Sequence, residues 1–254
     1  MAIKKENYSR RDFLKKSGMF AGGVVFVSLI NPFKVVYAAR KPKGKGKWYG
    51  IAIDIEKCIG CASCARSCKI ENNVSNEPFY FRNWVEQYTI TNDHQVLVSS
   101  PNGGIDGFTQ AVPKEDIFKT FFVPKMCNHC AKSPCTQVCP VGASFESNEG
   151  LALVDPTYCI GCGYCVQACP YGCRYIEPSS GVVDKCTLCY HRLEKGLDPA
   201  CMMACPTGAR IYGDLNDKDS AVSIFIKENN CAVIKPQLNT DSKLFYKALS
   251  QEVH

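Results

Sequence analysis

The chain has 254 residues, of which 46% are hydrophobic and 11% aromatic, so it can bury an ordinary core and is not a disordered polypeptide. Its formal charge of +6 gives no support to nucleic-acid binding, because residues 1–38 contribute +5 of that charge. Eighteen cysteines are an unusual load, and in an exported chain the default explanation would be a disulfide framework.

The N-terminal segment has the features of an export signal. Residues 9–15 (Ser-Arg-Arg-Asp-Phe-Leu-Lys) fit the twin-arginine pattern, residues 18–30 form a short apolar stretch, and residues 36–38 are a candidate cleavage site. A transmembrane anchor is the alternative, but a span needs about 20 apolar residues. Residues 1–38 therefore predict export by the twin-arginine pathway to the periplasmic face of the cytoplasmic membrane. The basic residues 39–47 predict a flexible leader.

The first cysteine quartet follows a predicted strand over residues 48–55 and overlaps a predicted short helix over residues 62–70. Its spacing is C-x2-C-x2-C-x3-C, and its members are Cys58, Cys61, Cys64 and Cys68. In bacterial ferredoxins this spacing points three thiolates at one 4Fe-4S cluster, while the fourth cysteine binds a second cluster.

Residues 71–116 contain no cysteine and predict an insertion. Within them, residues 84–91 have the pattern of a strand, whereas residues 99–116 are rich in Gly, Pro and Asp and predict a loop. Residues 118–123 predict a further strand that leads into the second quartet.

Three further quartets follow. The third repeats the ferredoxin spacing and adds a proline, and the second and fourth lengthen the middle gap without removing a ligand. Their members are Cys127, Cys130, Cys135 and Cys139 before Pro140; Cys159, Cys162, Cys165 and Cys169 before Pro170; and Cys186, Cys189, Cys201 and Cys205 before Pro206. Tetrahedral zinc is an alternative for two C-x2-C pairs, but it does not explain a third closely spaced cysteine or the repeated C-x3-C-P ending. The sequence therefore predicts four 4Fe-4S clusters, bound through iron by sixteen cysteines.

The last part of the chain adds few regular elements. Residues 209–212 predict a short strand, Asp219 or Ser220 can cap a helix that ends at residue 227, and residues 232–236 and 245–249 predict extended segments. The predicted fold class is α+β and loop-rich, with two ferredoxin-like two-cluster units related by pseudo-symmetry. The expected divisions are a four-cluster domain over residues 48–215, with its insertion at 71–116, and a C-terminal helix and tail over residues 216–254.

The linkers favour a nested pairing of the quartets. Residues 140–156 have the character of the hairpin spacer that joins the two halves of a two-cluster ferredoxin, so the second and third quartets form one unit and the first and fourth form the other. Because the fourth cysteine crosses to the partner cluster, the predicted ligand sets are Cys127, Cys130 and Cys135 with Cys169; Cys159, Cys162 and Cys165 with Cys139; Cys58, Cys61 and Cys64 with Cys205; and Cys186, Cys189 and Cys201 with Cys68. A sequential pairing, first with second and third with fourth, is the alternative.

Some residues outside the quartets are candidates for an influence on the clusters. Cys173 and Cys231 are expected to be buried, inert thiols. Cations near an anionic cluster raise its potential. Lys125, Arg174 and Arg192 are candidates for this effect, and His129 and His191 are candidates for shifting a potential or carrying a proton. Positions at the surface or behind the ligands are the alternative for these residues.

Several motifs give the chain a resemblance to a known family. They are Cys127-Asn-His-Cys130, Pro134-Cys135, and the run Asp184-Lys-Cys186-Thr-Leu-Cys189-Tyr-His-Arg-Leu-Glu-Lys-Gly196, which Pro199-Ala-Cys201 follows. With the order of the quartets, they make residues 48–248 resemble the iron-sulfur subunits of DMSO reductase-family respiratory molybdoenzymes. The sequences His-Arg-Leu-Glu and Gly213-Asp214-Leu resemble the tetrathionate and polysulfide reductase branches. The leader favours the tetrathionate branch.

The resemblance implies electron transfer between an integral membrane subunit that interacts with quinol and a molybdopterin catalytic subunit. The expected substrate of that complex is a sulfur oxyanion such as tetrathionate, with polysulfide, thiosulfate, arsenate and nitrite systems as alternatives. Nitrate reductase-type relatives have Trp in place of Cys162 and hold a three-iron cluster, so Cys162 also implies four 4Fe-4S clusters. The chain itself is expected to have no catalytic residue and no membrane span. A standalone periplasmic polyferredoxin and a zinc module are the competing functions.

Overall fold

The computed structural model describes residues 46–77 and 80–253. The predicted signal, residues 1–38, and residues 39–45 of the predicted leader lie outside these residues. The strands are β1 (Tyr49–Asp54), β2 (Asn83–Thr91), β3 (Val96–Ser99), β4 (Ile117–Met126), β5 (Ser144–Glu146), β6 (Ala152–Val154), β7 (Arg174–Ile176), β8 (Val183–Lys185), β9 (Arg210–Asp214), β10 (Cys231–Ala232) and β11 (Leu244–Lys247). The α-helices are α1 (Ser63–Glu71), α2 (Pro134–Gln137), α3 (Tyr164–Gln167), α4 (Tyr190–Leu193), α5 (Ala200–Met203) and α6 (Ala221–Glu228). Short 3-10 turns lie at Ile55–Lys57, Pro101–Gly104, Lys114–Asp116 and Pro236–Leu238.

A four-stranded sheet with the order β10-β11-β1-β9 forms the base of the fold. Its central strand β1 runs antiparallel to β9 and parallel to β11. Ile51 and Ile53 of β1 enter the main core, while Ala52, which points to the other face, packs with Val222 of α6. Both faces of β1 are therefore buried, which explains its nearly continuous apolar sequence. The predicted strand over residues 48–55 is confirmed, and the tail that was expected to be extended supplies two strands of this sheet.

Helix α6 has the cap that the sequence predicts. Ser220 lies immediately before its first residue, and the Ser220 Oγ accepts a hydrogen bond from the Ser223 backbone N–H at 3.4 Å. This bond satisfies one of the free N–H groups at the start of the helix. The structure thus selects Ser220, rather than Asp219, as the capping residue.

The insertion forms a three-stranded sheet with the order β3-β2-β4. The predicted strand over residues 84–91 is confirmed as β2, whereas β3 lies where the sequence predicts no element. Strand β4 is longer than predicted because it continues through Pro124. An edge strand tolerates proline, and β4 pairs only with β2. The rings of Tyr88 and Phe121 stack across these two strands at 5.5 Å.

Two short hairpins lie between the later cysteine quartets. The first, β5–β6, lies in the predicted spacer and confirms its hairpin character. In the second, β7–β8, Arg174 is the direct cross-strand partner of Lys185. The described residues therefore have the predicted α+β composition. Within residues 46–77 and 80–253, the helices are too short and too polar to cross a bilayer.

Candidate metal centres

All eighteen cysteines lie in the part of the chain that the structure describes, and all carry free thiols. A disulfide framework is therefore not formed. Within the same residues, no three His, Cys, Asp or Glu side chains are arranged so that they could hold one metal ion.

The four C-x2-C loops share one backbone feature, a residue with positive φ directly before the second cysteine. These residues are Gly60, His129, Gly161 and Leu188, with φ of 72°, 43°, 69° and 55°. The turn brings the backbone N–H of His129 to 3.4 Å from Cys127 Sγ, and that of Leu188 to 3.3 Å from Cys186 Sγ. Such N–H donors stabilise a thiolate. At Gly161 a side chain is also excluded by space, since an added Cβ would lie 2.4 Å from the Gly181 carbonyl oxygen.

A second shared turn follows three of the fourth cysteines, those that precede proline. In each turn a glycine with positive φ donates its N–H to the cysteine carbonyl at 3.3 Å; the pairs are Gly142 with Cys139, Gly172 with Cys169, and Gly208 with Cys205. Burial opposes ionisation of Cys139 and Cys205, but the backbone N–H groups of the turn, together with the Thr207 hydroxyl at Cys205, outweigh burial and lower the pKa of both thiols. The Cys173 thiol, with backbone N–H groups, lowers the pKa of Cys169 to about 6. The turns therefore stabilise the ionised form of the cysteine thiol.

Cys68, the fourth cysteine of the first quartet, departs from this pattern. It lies inside α1 and is followed by Lys69 rather than proline. Burial raises the pKa of Cys68 to about 12, and the thiolates of Cys201 and Cys189 act in the same direction. Its thiolate therefore requires compensation that the backbone does not supply.

The predicted ligand sets are named here as site I (Cys58, Cys61, Cys64, Cys205), site II (Cys186, Cys189, Cys201, Cys68), site III (Cys127, Cys130, Cys135, Cys169) and site IV (Cys159, Cys162, Cys165, Cys139). At site I, burial raises the pKa of Cys58 to about 11, and the thiolates of Cys64 and Cys205 act in the same direction. At site II, Asn72 Nδ2 lies 3.5 Å from Cys68 Sγ and 3.8 Å from Cys189 Sγ. The structure thus brings cysteines of the first and fourth quartets together.

The second and third quartets also meet. Burial raises the pKa of Cys130 to about 12, and the thiolates of Cys127, Cys135 and Cys169 act in the same direction. At site IV, burial raises the pKa of Cys165, with the same direction of effect from Cys135 and Cys139. The structure therefore places Cys169 near Cys130, and Cys139 near Cys165.

Packing between the sites gives them a linear order. Cys64 of site I packs in one apolar group with Cys201 of site II. Cys186 of site II and Cys127 of site III share the main core, and Cys135 of site III packs with Cys165 of site IV. The order is I, II, III, IV, which the sequence did not reveal.

Two arginines lie between neighbouring sites. Arg210 is buried, and although burial opposes its charge, the thiolates of Cys64 and Cys201 raise its pKa. In the same way, burial opposes the charge of Arg174, but the thiolates of Cys135, Cys127 and Cys165 raise its pKa. Arg174 was a candidate from the sequence, whereas Arg210 was missed. The signal that identifies both is the run Cys-Pro-x-Gly-x-Arg, which begins at Cys169 and at Cys205.

The other candidate residues differ in their surroundings. Lys125 pairs with Glu86 at 2.7 Å. His191 and Arg192 both bind the Glu71 carboxylate at 2.8 Å, and His191 is exposed. The positive charge of each of these three candidates is therefore at least partly neutralised by a carboxylate.

Cys173 and Cys231, the two cysteines outside the quartets, have unlike environments. Cys173 is buried, and its thiol donates to the Met126 carbonyl at 3.0 Å. Cys231 is half-buried on β10. The expectation of a buried thiol is therefore met fully only at Cys173.

Buried side-chain nitrogens that have no hydrogen-bond partner among the described residues surround site III. They are both ring nitrogens of His129, Nε and Nη1 of Arg174, and Nδ2 of Asn128. Buried donors are normally satisfied, and the sulfurs of an iron-sulfur cluster would accept hydrogen bonds from them. The residues present therefore fit a cluster bound by Cys127, Cys130, Cys135 and Cys169.

Comparison with known proteins agrees with this chemistry. Two families described as "4Fe-4S dicluster domain" match residues 57–143 and 118–215. The chain is 37% identical to a tetrathionate reductase subunit of Salmonella typhimurium, over 95% of this chain and 88% of that protein, and 38% identical to a tetrathionate reductase subunit of Archaeoglobus fulgidus, over 89% and 96%. It is 40% identical to a putative dimethyl sulfoxide reductase iron-sulfur subunit of Halobacterium salinarum, over 78% of each protein. Two dicluster domains correspond to four 4Fe-4S clusters, which confirms the predicted cofactor.

Proposed function

Because the chain belongs to the family of iron-sulfur subunits of DMSO reductase-type molybdoenzymes, we propose that it relays electrons between a quinol-linked membrane subunit and a molybdopterin catalytic subunit. The observation that supports this best is the linear order of sites I to IV. When bound, each cluster supplies a centre that accepts and releases electrons. The chain buries most ligands of the inner sites II and III and exposes one cysteine at each outer site, Cys61 and Cys162.

We assign the sixteen ligands as the nested sets of sites I to IV. The support is the position of each crossing cysteine: Cys205 beside Cys58, Cys68 beside Cys189, Cys169 beside Cys130, and Cys139 beside Cys165. The two units are proposed to be related by pseudo-symmetry, since the run Cys-Pro-x-Gly-x-Arg occurs once in each.

The partner subunits are proposed to contact the two ends of this series. Beside Cys61, the side chain of Ile59 is 60% exposed, and beside Cys162, that of Ile160 is 65% exposed. Tyr164 on α3 is also exposed next to Cys162. Apolar side chains grouped around the terminal ligands are suited to an interface that excludes water between donor and acceptor.

The proposed substrate of the complex is tetrathionate. Two relatives that cover most of the chain are tetrathionate reductase subunits. Purification of the tagged chain from its native host, with mass spectrometry of the proteins that accompany it, tests the assembly. The purified complex is then assayed with a reduced viologen for reduction of tetrathionate, polysulfide, thiosulfate, arsenate and nitrite. Fastest turnover of another acceptor overturns the substrate, and purification without a molybdenum subunit favours a standalone polyferredoxin.

Export by the twin-arginine pathway is proposed for the cluster-loaded chain. Its support is the pattern at residues 9–15, with Arg10 and Arg11 as the paired arginines of the signal. The variant Arg10→Lys/Arg11→Lys should retain the protein in the cytoplasm, whereas Lys15→Arg/Lys16→Arg, which preserves the charge, should not. Cell fractionation measures both, and periplasmic activity of the first variant would contradict the proposal.

A further inference from the structure

Three buried cations, Arg174, Lys185 and Lys243, lie around site III. Arg174 and Lys185 are direct cross-strand partners on β7 and β8, and both are buried. Like charges placed opposite each other destabilise a sheet, and a buried charge is costly unless it is neutralised. This pair therefore needs negative charge close to it.

Lys243 adds a third buried cation. Its backbone N–H donates to the Asn128 carbonyl at 3.0 Å, which holds it beside the loop of Cys127 and Cys130. Its Nζ donates to the Gly150 carbonyl and lies 4.1 Å from the centre of the Trp48 ring. Lys185 Nζ donates to the nearby Ala152 carbonyl, so both ammonium groups lie along one short segment of the β5–β6 hairpin.

These cations are held by neutral groups. Arg174 Nη2 donates to Ser144 Oγ at 2.8 Å, and Lys185 Nζ donates to the Cys186 carbonyl at 2.8 Å. Within residues 46–77 and 80–253, neither lysine nor Arg174 has a carboxylate within 4.0 Å. Burial lowers the pKa of Lys243 to about 8, whereas Glu146, which forms no ion pair with it, and the thiolates of Cys127 and Cys130 favour its charged form. The cysteine ligands therefore supply the negative charge that these buried cations need.

His129 shows that the positive groups converge on the ligand loop. It lies between Cys127 and Cys130, is almost fully buried, and leaves both ring nitrogens without a partner. Lys185, Lys243 and Arg174 all lie close enough to act electrostatically on its ring. A ring N–H of His129 can donate to a cluster sulfur. Ser133 Oγ, 3.0 Å from Cys135 Sγ, is a second polar group at the same site.

Lys185 also borders site II through its bond to the Cys186 carbonyl, so what distinguishes site III within the described residues is the unpartnered ring nitrogens of His129 and guanidinium nitrogens of Arg174. Arg210 is shared by sites I and II, and Lys69 lies beside Cys68 of site II. Arg82, which also lies near site II, is neutralised by Asp184 at 2.8 Å. Site IV shares only Arg174 with site III.

We propose that site III holds the most readily reduced of the four clusters, because Arg174, Lys185 and Lys243 stabilise the negative charge that reduction adds. This inference rests on the proposed function and on the ligand sets assigned above. Positive charge and hydrogen bonds to sulfur both raise the potential of an iron-sulfur cluster. The reduction potential therefore does not change steadily from site I to site IV, and an electron in the series is held most strongly at site III.

The test is a redox titration of the full-length, cluster-loaded protein followed by EPR. The variant Cys169→Ser identifies the site III signal as the one that changes. In the unsubstituted protein, this signal should appear first as the potential is lowered. In Lys243→Met, the ratio of reduced to oxidised site III at the original midpoint should fall about tenfold, which corresponds to about 59 mV for one electron. Lys243→Arg retains the charge and should restore most of that ratio.

A matched control lies on β11, the strand that begins directly after Lys243. Lys247 pairs with Glu56 at 2.9 Å and Asp54 at 3.3 Å, so Lys247→Met should leave the site III midpoint unchanged. Lys185→Met is an independent second variant if Lys243→Met does not fold. Iron analysis of each sample tests the four-cluster assignment separately, with about sixteen irons per chain expected. Full iron content with site III reduced after another site, or with an unchanged midpoint in both lysine variants, would overturn the inference.

Discussion

The side-chain amide of Asn72 lies 3.8 Å from the sulfur of Cys189, although the two residues belong to opposite ends of the cysteine-containing region. The same amide lies 3.5 Å from Cys68, so the residue that directly follows α1 reaches the fourth quartet. Helix α1 is therefore the element that closes the outer unit.

This contact predicts which cluster depends on Cys68. Cys68→Ser should alter the same EPR signal as Cys189→Ser, because both residues are assigned to site II. It should not change the EPR signal that Cys61→Ser alters. Parallel spectra of the three variants provide the measurement, and a shared effect of Cys68→Ser and Cys130→Ser would instead support the sequential pairing.

Arg210 should influence two clusters at once. It lies between sites I and II, and its Nη2 donates to Asn83 Oδ1 at 3.2 Å. Arg210→Met removes a positive charge, so the potentials of both sites should fall, each by about the 59 mV that accompanies a tenfold change for one electron. Arg210→Lys retains the charge and serves as the control. EPR-monitored titration in which only one signal moves would contradict the position between two sites.

Substitutions at two glycines of site IV can distinguish the effect of backbone strain from that of a steric clash. Gly161 and Gly142 both have φ of +69°, but an added Cβ meets the Gly181 carbonyl at 2.4 Å only at Gly161. Gly142→Ala should cost about 1–3 kcal/mol through backbone strain alone. Gly161→Ala should cost more and lose the site IV cluster. Iron content and the site IV signal measure the difference, and equal losses would show that strain dominates.

Cys231 should react with alkylating agents in a strongly pH-dependent way. Burial raises its pKa to about 11, and Asp54 acts in the same direction, so the thiol is protonated at neutral pH. Its thiolate fraction should therefore rise about tenfold per pH unit until the pH approaches 11. Mass spectrometry after iodoacetamide treatment follows the rate, with Cys231→Ser as the control. A plateau near the ordinary thiol pKa of about 8.5 would mean that the thiol is not perturbed.

Removal of iron should loosen β7 and β8 more than the insertion sheet. Without the anionic cluster, the positive charges of Arg174 and Lys185 remain buried opposite each other and are no longer neutralised. Removing the partner of a buried charge is strongly destabilising. Hydrogen exchange measured before and after chelation should show the largest loss of protection in these strands. Lys185→Met should reduce that loss. Protection that falls equally in β2 and β4 would show global unfolding instead.

Local sequence patterns were sufficient for much of the fold. Alternating apolar residues predicted β1 and β2, the serine before an apolar run predicted the start of α6, and cysteine spacing predicted the four thiol groups. Strand β3 was missed because its residues, beginning at Val96, gain stability only by pairing with β2. The end of β4 was missed because Pro124 signals an interruption unless the strand is known to lie at an edge.

The charge around the sites could not be predicted because it depends on distant segments. Lys243 reaches the loop of Cys127 through a backbone bond to Asn128, and nothing in the local pattern of either segment indicates this contact. Arg174 and Lys185 face each other because of the register of a hairpin whose strands have three residues each. The repeat that contains Arg210 is visible in the sequence, but only the position of the side chain shows that this arginine lies between two sites.

Strand β1 precedes every cysteine quartet in the chain, yet its hydrogen-bonding partners β9 and β11 both follow the last quartet. During synthesis, Ile51 and Ile53 therefore have no sheet to join until all four quartets have been translated, while the β5–β6 and β7–β8 hairpins can form earlier. An unpaired β1 is a surface to which chaperones or other strands can bind. Completion of this sheet therefore follows the synthesis of every predicted cluster ligand.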